Sequence, residues 1–388
     1  MIFSSIEFLF LFLPAFLILY RLFPDRMKNA VLLTGSLIFY ALGEPGYLVL
    51  LMVSVLANYG LGLNLGRSVR QKGKGKKQKK NEYDRKRKYL FAAAVAGNVG
   101  ILVLFKAGAG EQGIPLGISF YTFQILSYLI DVYTGEQRRE TSFVCLATYV
   151  TMFPQLVSGP IVGYEEVRGS LHGRKFTAAG LQDGLKVFTM GLAAKVLLAD
   201  RLGLLWREVQ VTGFESISTP LAWLAAAAYS LKIYFDFYGY SLMAIGLGRM
   251  LGFELPENFS TPYMACSVRD FYRRWHMTLG RWFRRYVYIP LGGNRRGELR
   301  TVCNLLVVWA LTAVWHGGTA NFLIWGMLLW LFIVLERQLC ALGIDRIFRK
   351  GVFRAIPHLY LWAVIPVTWI CFAVRDVTQL EIYLTRMC

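Results

Sequence analysis

Apolar residues run along this chain in long blocks, and polar residues are gathered at the joints between them. Blocks centred on residues 8–23, 30–42, 46–65, 89–105, 114–133, 143–160, 183–205, 219–238, 302–315, 320–340 and 357–374 approach the length of a bilayer crossing. About 20 apolar residues in a helix cover the roughly 30 Å of hydrocarbon in a membrane. Several blocks are short or interrupted by Gly and Pro, so the pattern predicts about nine to eleven crossings. Backbone groups in lipid need partners within their own segment, which makes helices the default. The short alternating segments of a membrane barrel are absent from the sequence. The expected class is all-α: a polytopic integral membrane protein with one membrane domain over residues 1–388. The first block follows no basic region, contains Glu7 and precedes no small-residue cleavage pattern. It reads as a membrane helix rather than a signal peptide.

A different pattern begins near residue 252. The stretch GFELPENFSTPYM (252–264) is rich in Pro, Asn and Ser and reads as irregular. After it, residues 266–290 predict one amphipathic helix in the membrane interface. Val268, Phe271, Tyr272, Trp275, Leu279, Trp282, Phe283 and Tyr286 fall on one arc. Arg269, Arg273, Arg274, Arg281, Arg284 and Arg285 fall outside it, and His276 lands at the edge. The apolar run 302–315 follows and ends in Trp315, His316 and the glycine pair Gly317 and Gly318. The next apolar run begins at once with Asn321. If the Arg-rich segment is cytoplasmic, His316 lies on the order of 20 Å deeper, beside a helix break.

Charge sharpens the orientation. The net charge is +19, much of it in RSVRQKGKGKKQKKNEYDRKRK (67–88). No aromatic stacking pattern accompanies those lysines, so the segment reads as a cytoplasmic basic loop that can meet anionic lipid, not as a nucleic-acid site. The six cysteines are scattered without a CxxC pair, and the four histidines have no helical partner at i+3 or i+4. Neither a disulfide framework nor a metal site is indicated.

Ionisable groups inside apolar runs are the candidates for chemistry, because burial there is costly. His316 is the foremost. A neutral imidazole can accept a proton near neutral pH, as attack of a hydroxyl on a thioester carbonyl requires. A core histidine bonded to a carbonyl is the bland alternative. His276 is the weaker candidate and reads more simply as a polar flank residue beside arginines. His172 and His358 read as surface groups, and Asp236, in an aromatic-rich run, needs a partner or a polar lining. Asp131 and Lys106 read as structural pairing groups.

The same segments resemble the membrane-bound O-acyltransferase superfamily. The likeness is carried by FLFLFLPAFLILYRLFP near the start, PLGISFYTFQILSYLIDVYTG (115–135) and FPQLVSGPIVGYEEV (153–167). It continues through YFDFYGYSLMAIGLGRMLGFELPENFSTPY (234–263), DFYRRWHMTLGRWFRRYVYIPLGGNRRG (270–297) and VWHGGTANFLIWG (314–326). Its bacterial branch includes the membrane subunits of alginate O-acetylation and, more distantly, the D-alanyl transferases of teichoic acids.

The resemblance implies transfer of an acyl group, most simply acetyl, from a cytoplasmic thioester to a hydroxyl of a cell-surface polysaccharide or teichoic acid. The donor would be acetyl-CoA or an acyl carrier thioester, with no bound cofactor and no metal. The setting would be the plasma membrane of a bacterial cell, with a separate extracytoplasmic transferase as partner. It also implies that His316 is the essential histidine and His276 the second. Asp236, Tyr238, Tyr240, Trp275, Trp315 and Asn321 would line the substrate path, and Arg273 and Arg274 would either meet donor phosphates or form a solvated helix surface. Leu242 and Arg285 stand where relatives usually carry acids, and Gly163 stands where they usually carry a basic residue. The family pattern continues through further helices beyond Cys388. Three other readings remain: D-alanyl transfer to teichoic acid, an acyl conduit without chemistry, and a non-catalytic scaffold for a partner enzyme, the last of which fits these departures.

Overall fold

A computed structural model describes residues 2–66, 77–108, 115–344 and 351–388. Every apolar block lies on helical structure, and no strand occurs among the described residues. Among the described residues, five stretches are long and apolar enough to cross a membrane: Pro45–Leu65, Asp84–Lys106, Glu298–His316, Ala320–Ala341 and Phe353–Ala373. Phe8–Leu22 is a shorter apolar helix. The remaining blocks of the predicted nine to eleven crossings are helical but differ in length, continuity or polarity. The chain divides into two compact units, residues 1–188 with 243–256, and residues 189–242 with 257–388.

The first unit contains α1 (Leu13–Leu22), α2 (Lys28–Gly43), α3 (Leu48–Leu65), α4 (Lys77–Gly108) and α5 (Ile118–Thr134). After them come α6 (Phe143–Thr151), α7 (Phe153–Leu156), α8 (Tyr164–Gly173) and most of α9 (Ala178–Ala193). Twelve of the 17 residues of α5 are buried, so this block is a core helix rather than a lipid-facing one. The block at 143–160 breaks at Met152, whose extended ψ of 119° and the following Pro154 stop α6. Phe153 is fully buried and meets Phe12, Phe16 and Phe39 at 5.3–5.6 Å between ring centroids. The Phe-rich start of the chain is thus half of an aromatic core.

Part of the basic segment differs from its reading as a loop. Residues 67–76 lie outside the described residues, but α4 begins at Lys77 and carries the rest into a helix. Lys, Gln and Arg are good helix formers once a neighbouring apolar run anchors them. Arg87 is buried there and donates to the carbonyl oxygens of Leu65 and Tyr133 at the ends of α3 and α5. It satisfies acceptors that a helix terminus leaves open.

The second unit contains α10 (Asp200–Thr212), the first part of α11 (Thr219–Met250), α12 (Val268–Arg274), α13 (Met277–Phe283), α14 (Glu298–His316), α15 (Ala320–Ala341), α16 (Ile356–Ala373) and α17 (Val377–Arg386). Its core joins Trp275, Trp309, Trp325 and Trp369 to Phe259, Phe271 and aliphatic side chains of α15 and α16. α14 and α15 form a hairpin closed by Gly317, Gly318 and Thr319. A methyl group on Gly326 would lie 3.0 Å from Ala313 Cβ, so small residues let these two helices approach. At the open end of the hairpin, Arg337 donates two hydrogen bonds to Glu298.

Candidate active site

His316 is the last residue of α14. Gly317 (φ 155°) and Gly318 (φ 69°) follow it in conformations that favour glycine, and their N–H groups close onto the carbonyls of Val314 and Ala313. The helix break expected from the paired glycines is present. It aims a half-buried imidazole at an aromatic box. The His316 ring lies 4.5 Å from Trp315, 5.0 Å from Phe372, 5.1 Å from Trp325 and 5.9 Å from Phe322, between centroids.

His276 occupies a second break, and here the structure corrects the sequence. The predicted helix over 266–290 is two short helices and a π-helical turn, Arg284–Tyr288. Trp275 is extended, and His276 adopts a left-handed conformation, φ 45° and ψ 52°. Thr261 (φ 45°) is the other non-glycine residue with positive φ among the described residues. Such conformations cost free energy and persist where the surroundings impose them. The irregular loop does so: Ser260 N–H donates to the Arg274 carbonyl, and Met277 N–H to the Asn258 carbonyl, each at 2.9 Å. The amphipathic pattern itself holds, since Val268, Phe271, Trp275, Leu279 and Phe283 are buried. His276, however, is only 5% exposed rather than at a boundary, because the kink rotates it inward.

The protonation of His276 follows from its partners. Its Nδ1 lies 3.0 Å from Asn258 Oδ1. That oxygen also accepts from the backbone N–H of Thr278 at 3.3 Å and from its hydroxyl at 2.9 Å. A backbone N–H can only donate, so it fixes which end of the Asn258 amide faces His276. Nδ1 therefore carries the proton, and Nε2 holds the lone pair. Asn258 is held in turn by its Nδ2 donating to Ser241 Oγ at 3.1 Å. Nε2 is buried with no hydrogen-bond partner among the described residues. Burial pushes His276 down to about 3, leaving it a neutral ring.

Trp315 stands between the two histidines. Its ring centroid is 4.5 Å from His316 and 6.3 Å from His276, and Phe237 closes on His276 from α11 at 4.7 Å. Trp275 packs under this group against Phe259 and Trp369. Asn321 is fully buried and donates to the Phe372 carbonyl at 3.1 Å, bracing a wall of the His316 box. Tyr238 stacks on Tyr234 at 5.4 Å on the α11 face that Phe237 and Ser241 share.

Other predicted residues are not brought together with the histidines. Asp236 pairs with Lys195 at 3.0 Å and Lys232 at 3.5 Å. These contacts belong to a different face of α11 from Tyr238, because successive residues diverge by about 100°. Tyr240 lies one turn beyond Asp236 on that face and is half-buried. Asp236 and Tyr238 therefore do not form a joint lining. Arg273 is exposed, and Arg274 is engaged by Asp270 at 3.1 Å. His172 contacts the buried Glu140 carboxylate in the first unit, and His358 Nε2 contacts Cys266 Sγ at 3.5 Å. Sequence reasoning did not single out Asn258, Ser241, Thr278, Phe322, Trp325 or Phe372. The Asn258 loop was marked as non-helical, and a lone Asn within such a polar loop was the available signal.

In this aromatic setting His316 can take a proton from a hydroxyl and pass it to a leaving group, while Nε2 of His276 can accept a hydrogen bond. The sequence model of the MBOAT, membrane-bound O-acyltransferase, family matches residues 132–374. The chain is 35% identical over 382 residues to a probable alginate O-acetylase of Pseudomonas fluorescens, covering 97% of this chain and 73% of that protein. It is 32% identical over 431 residues to a peptidoglycan O-acetyltransferase of Helicobacter pylori, covering 97% and 77%. A teichoic acid D-alanyltransferase of Bacillus subtilis is 26% identical over 223 residues, covering 55% and 56%.

Proposed function

The chain belongs to the membrane-bound O-acyltransferase family, and on that premise we propose that it transfers an acetyl group from a cytoplasmic thioester to a hydroxyl of an extracytoplasmic polysaccharide. It is a multi-pass membrane protein and an O-acyltransferase. The acetyl group and polysaccharide acceptor follow the relatives whose names carry them and which match nearly the whole chain. The plasma membrane of a bacterial cell, acetyl-CoA or an acetylated carrier as donor, and a separate extracytoplasmic transferase complete the proposal.

One observation supports the chemistry above others: two histidines from unrelated segments converge on Trp315, each at a backbone break. In this reading His316 takes the proton from the acceptor hydroxyl as its oxygen bonds to the thioester carbonyl carbon. The carbon–sulfur bond then breaks, and the same proton passes to the departing thiolate. His276 has a different task. Its Nδ1–H is spent on Asn258, so its free Nε2 can accept a hydrogen bond but cannot donate one to an oxyanion. It suits an amide N–H of a pantetheine arm or an acceptor O–H. The exposed Arg273 is the better placed of the two arginines for donor phosphates, since Arg274 already holds Asp270.

Purified protein in lipid discs, supplied with a labelled acetyl thioester and a surface polysaccharide, tests the reading. Base-labile acetate on the glycan is the expected product. Transfer of alanine from a D-alanyl carrier protein instead would move the assignment to D-alanylation. Activity of a partner enzyme that needs this chain but tolerates His316→Ala would make it a scaffold or conduit.

A further inference from the structure

α12 has only seven residues, too few to hold its own register. Its start is nonetheless tied down more fully than that of a long helix. Ser267 Oγ accepts from Asp270 N–H at 3.0 Å. The carboxylate of Glu336, which comes from α15, accepts from Val268 N–H at 2.6 Å and from Arg269 N–H at 3.0 Å. Three of the four amides that a helix start leaves open are therefore satisfied, two of them by one remote side chain. Glu336 also receives the Tyr360 hydroxyl from α16 at 3.2 Å, and Cys266, just before the cap, meets His358 of α16. At its other end α12 is capped by Trp275, and the left-handed His276 follows it directly.

We propose that Glu336 is a positioning residue: its carboxylate fixes the register of α12 and thereby the kink that turns His276 toward Trp315. The consequence for turnover rests on the reading of His276 as part of the transfer site. Reach matters more than charge here. Gln keeps the length and one acceptor oxygen, Asp keeps the charge but falls short by about one methylene, and Ala keeps neither.

Hydrogen exchange and acetyl transfer on the whole protein in lipid discs separate the possibilities. In Glu336→Ala and Glu336→Asp, the amides of Val268, Arg269 and Met277 should exchange at least about tenfold faster, with Glu336→Gln between these and wild type. The kcat should fall about tenfold in the same order, with KM for the donor little changed. Tyr360→Phe, which leaves both amide bonds in place, should match wild type in exchange. Unchanged exchange at Met277 in Glu336→Ala overturns the proposal. So does faster exchange of equal size in Tyr360→Phe, since general packing of α16 would then explain it. Faster exchange at Met277 with unaltered turnover would uphold the positioning role and remove His276 from the transfer chemistry. Should Glu336→Ala not assemble, slower exchange and higher kcat in Glu336→Gln than in Glu336→Asp carry the test, and Asp equal to or nearer wild type than Gln in exchange overturns it.

Discussion

Asn258 sets the tautomer of His276, and this gives a test at the scale of one residue. Asn258→Ala removes the acceptor for Nδ1–H, and turnover should fall about tenfold or more. Asn258→Asp restores an acceptor but adds a negative charge, which favours the imidazolium and should raise the His276 pKa from about 3. Its signature is an altered pH profile, which a loss of packing alone would not produce. The depressed pKa also has a sign for stability. Unfolded His276 would titrate near 6.5, so between that pH and about 3 the unfolded chain binds more protons than the folded one. The contribution of neutral His276 is complete above that range and declines as pH falls through it. The thermal midpoint of wild type should therefore drop more than that of His276→Gln between pH 7 and pH 4. Parallel curves for the two proteins would contradict the burial of a neutral ring.

The two histidines were legible to different degrees. His316 announced itself as an ionisable residue between two apolar runs, followed by two glycines that could end a helix. His276 was visible as a histidine in an arginine-rich amphipathic segment, but its burial was not. Periodicity assumes continuous helix, and the kink that buries His276 is made by backbone bonds to the 258–260 loop. Asp236 was read correctly as needing a partner, yet its lysines came from i−4 and from a helix far back in the sequence.

At the scale of elements, the site depends on breaks more than on helices. The α14–α15 hairpin places His316 because Gly317 tolerates its backbone and leaves room for Phe322. A methyl group on Gly317 would lie 2.8 Å from Phe322 Cε2. Gly317→Ala should therefore destabilise by about 1–3 kcal/mol and lower turnover by displacing the wall of the His316 box. Melting in detergent and a transfer assay read the two effects separately. The α12–α13 kink allows a complementary test. Both His276→Gly and His276→Ala remove the imidazole, but only glycine takes the left-handed backbone freely. The glycine variant should be the more stable by about 1 kcal/mol, while turnover falls in both. A less stable glycine variant would mean that the kink is not strained.

On the scale of the whole molecule, apolar blocks identified the helices. The blocks at 114–133 and 143–160 are apolar because they are buried in protein, the first as a core helix and the second as two pieces broken at Met152. Hydropathy reads burial in protein and burial in lipid alike, so apolar character alone does not separate a crossing from a core helix; among the described residues five stretches qualify by length and composition. The basic segment illustrates the reverse limit: its charge led to a reading as a loop and did not reveal that Lys77 begins a helix.

The proposed transfer makes His316 necessary for ester formation on surface material. Cells carrying wild-type protein or His316→Ala, matched for membrane abundance, should be compared for acids released from surface material by mild base. Acetate released from the wild type and lost in the variant is the expected result. Equal acetate from both strains would contradict it.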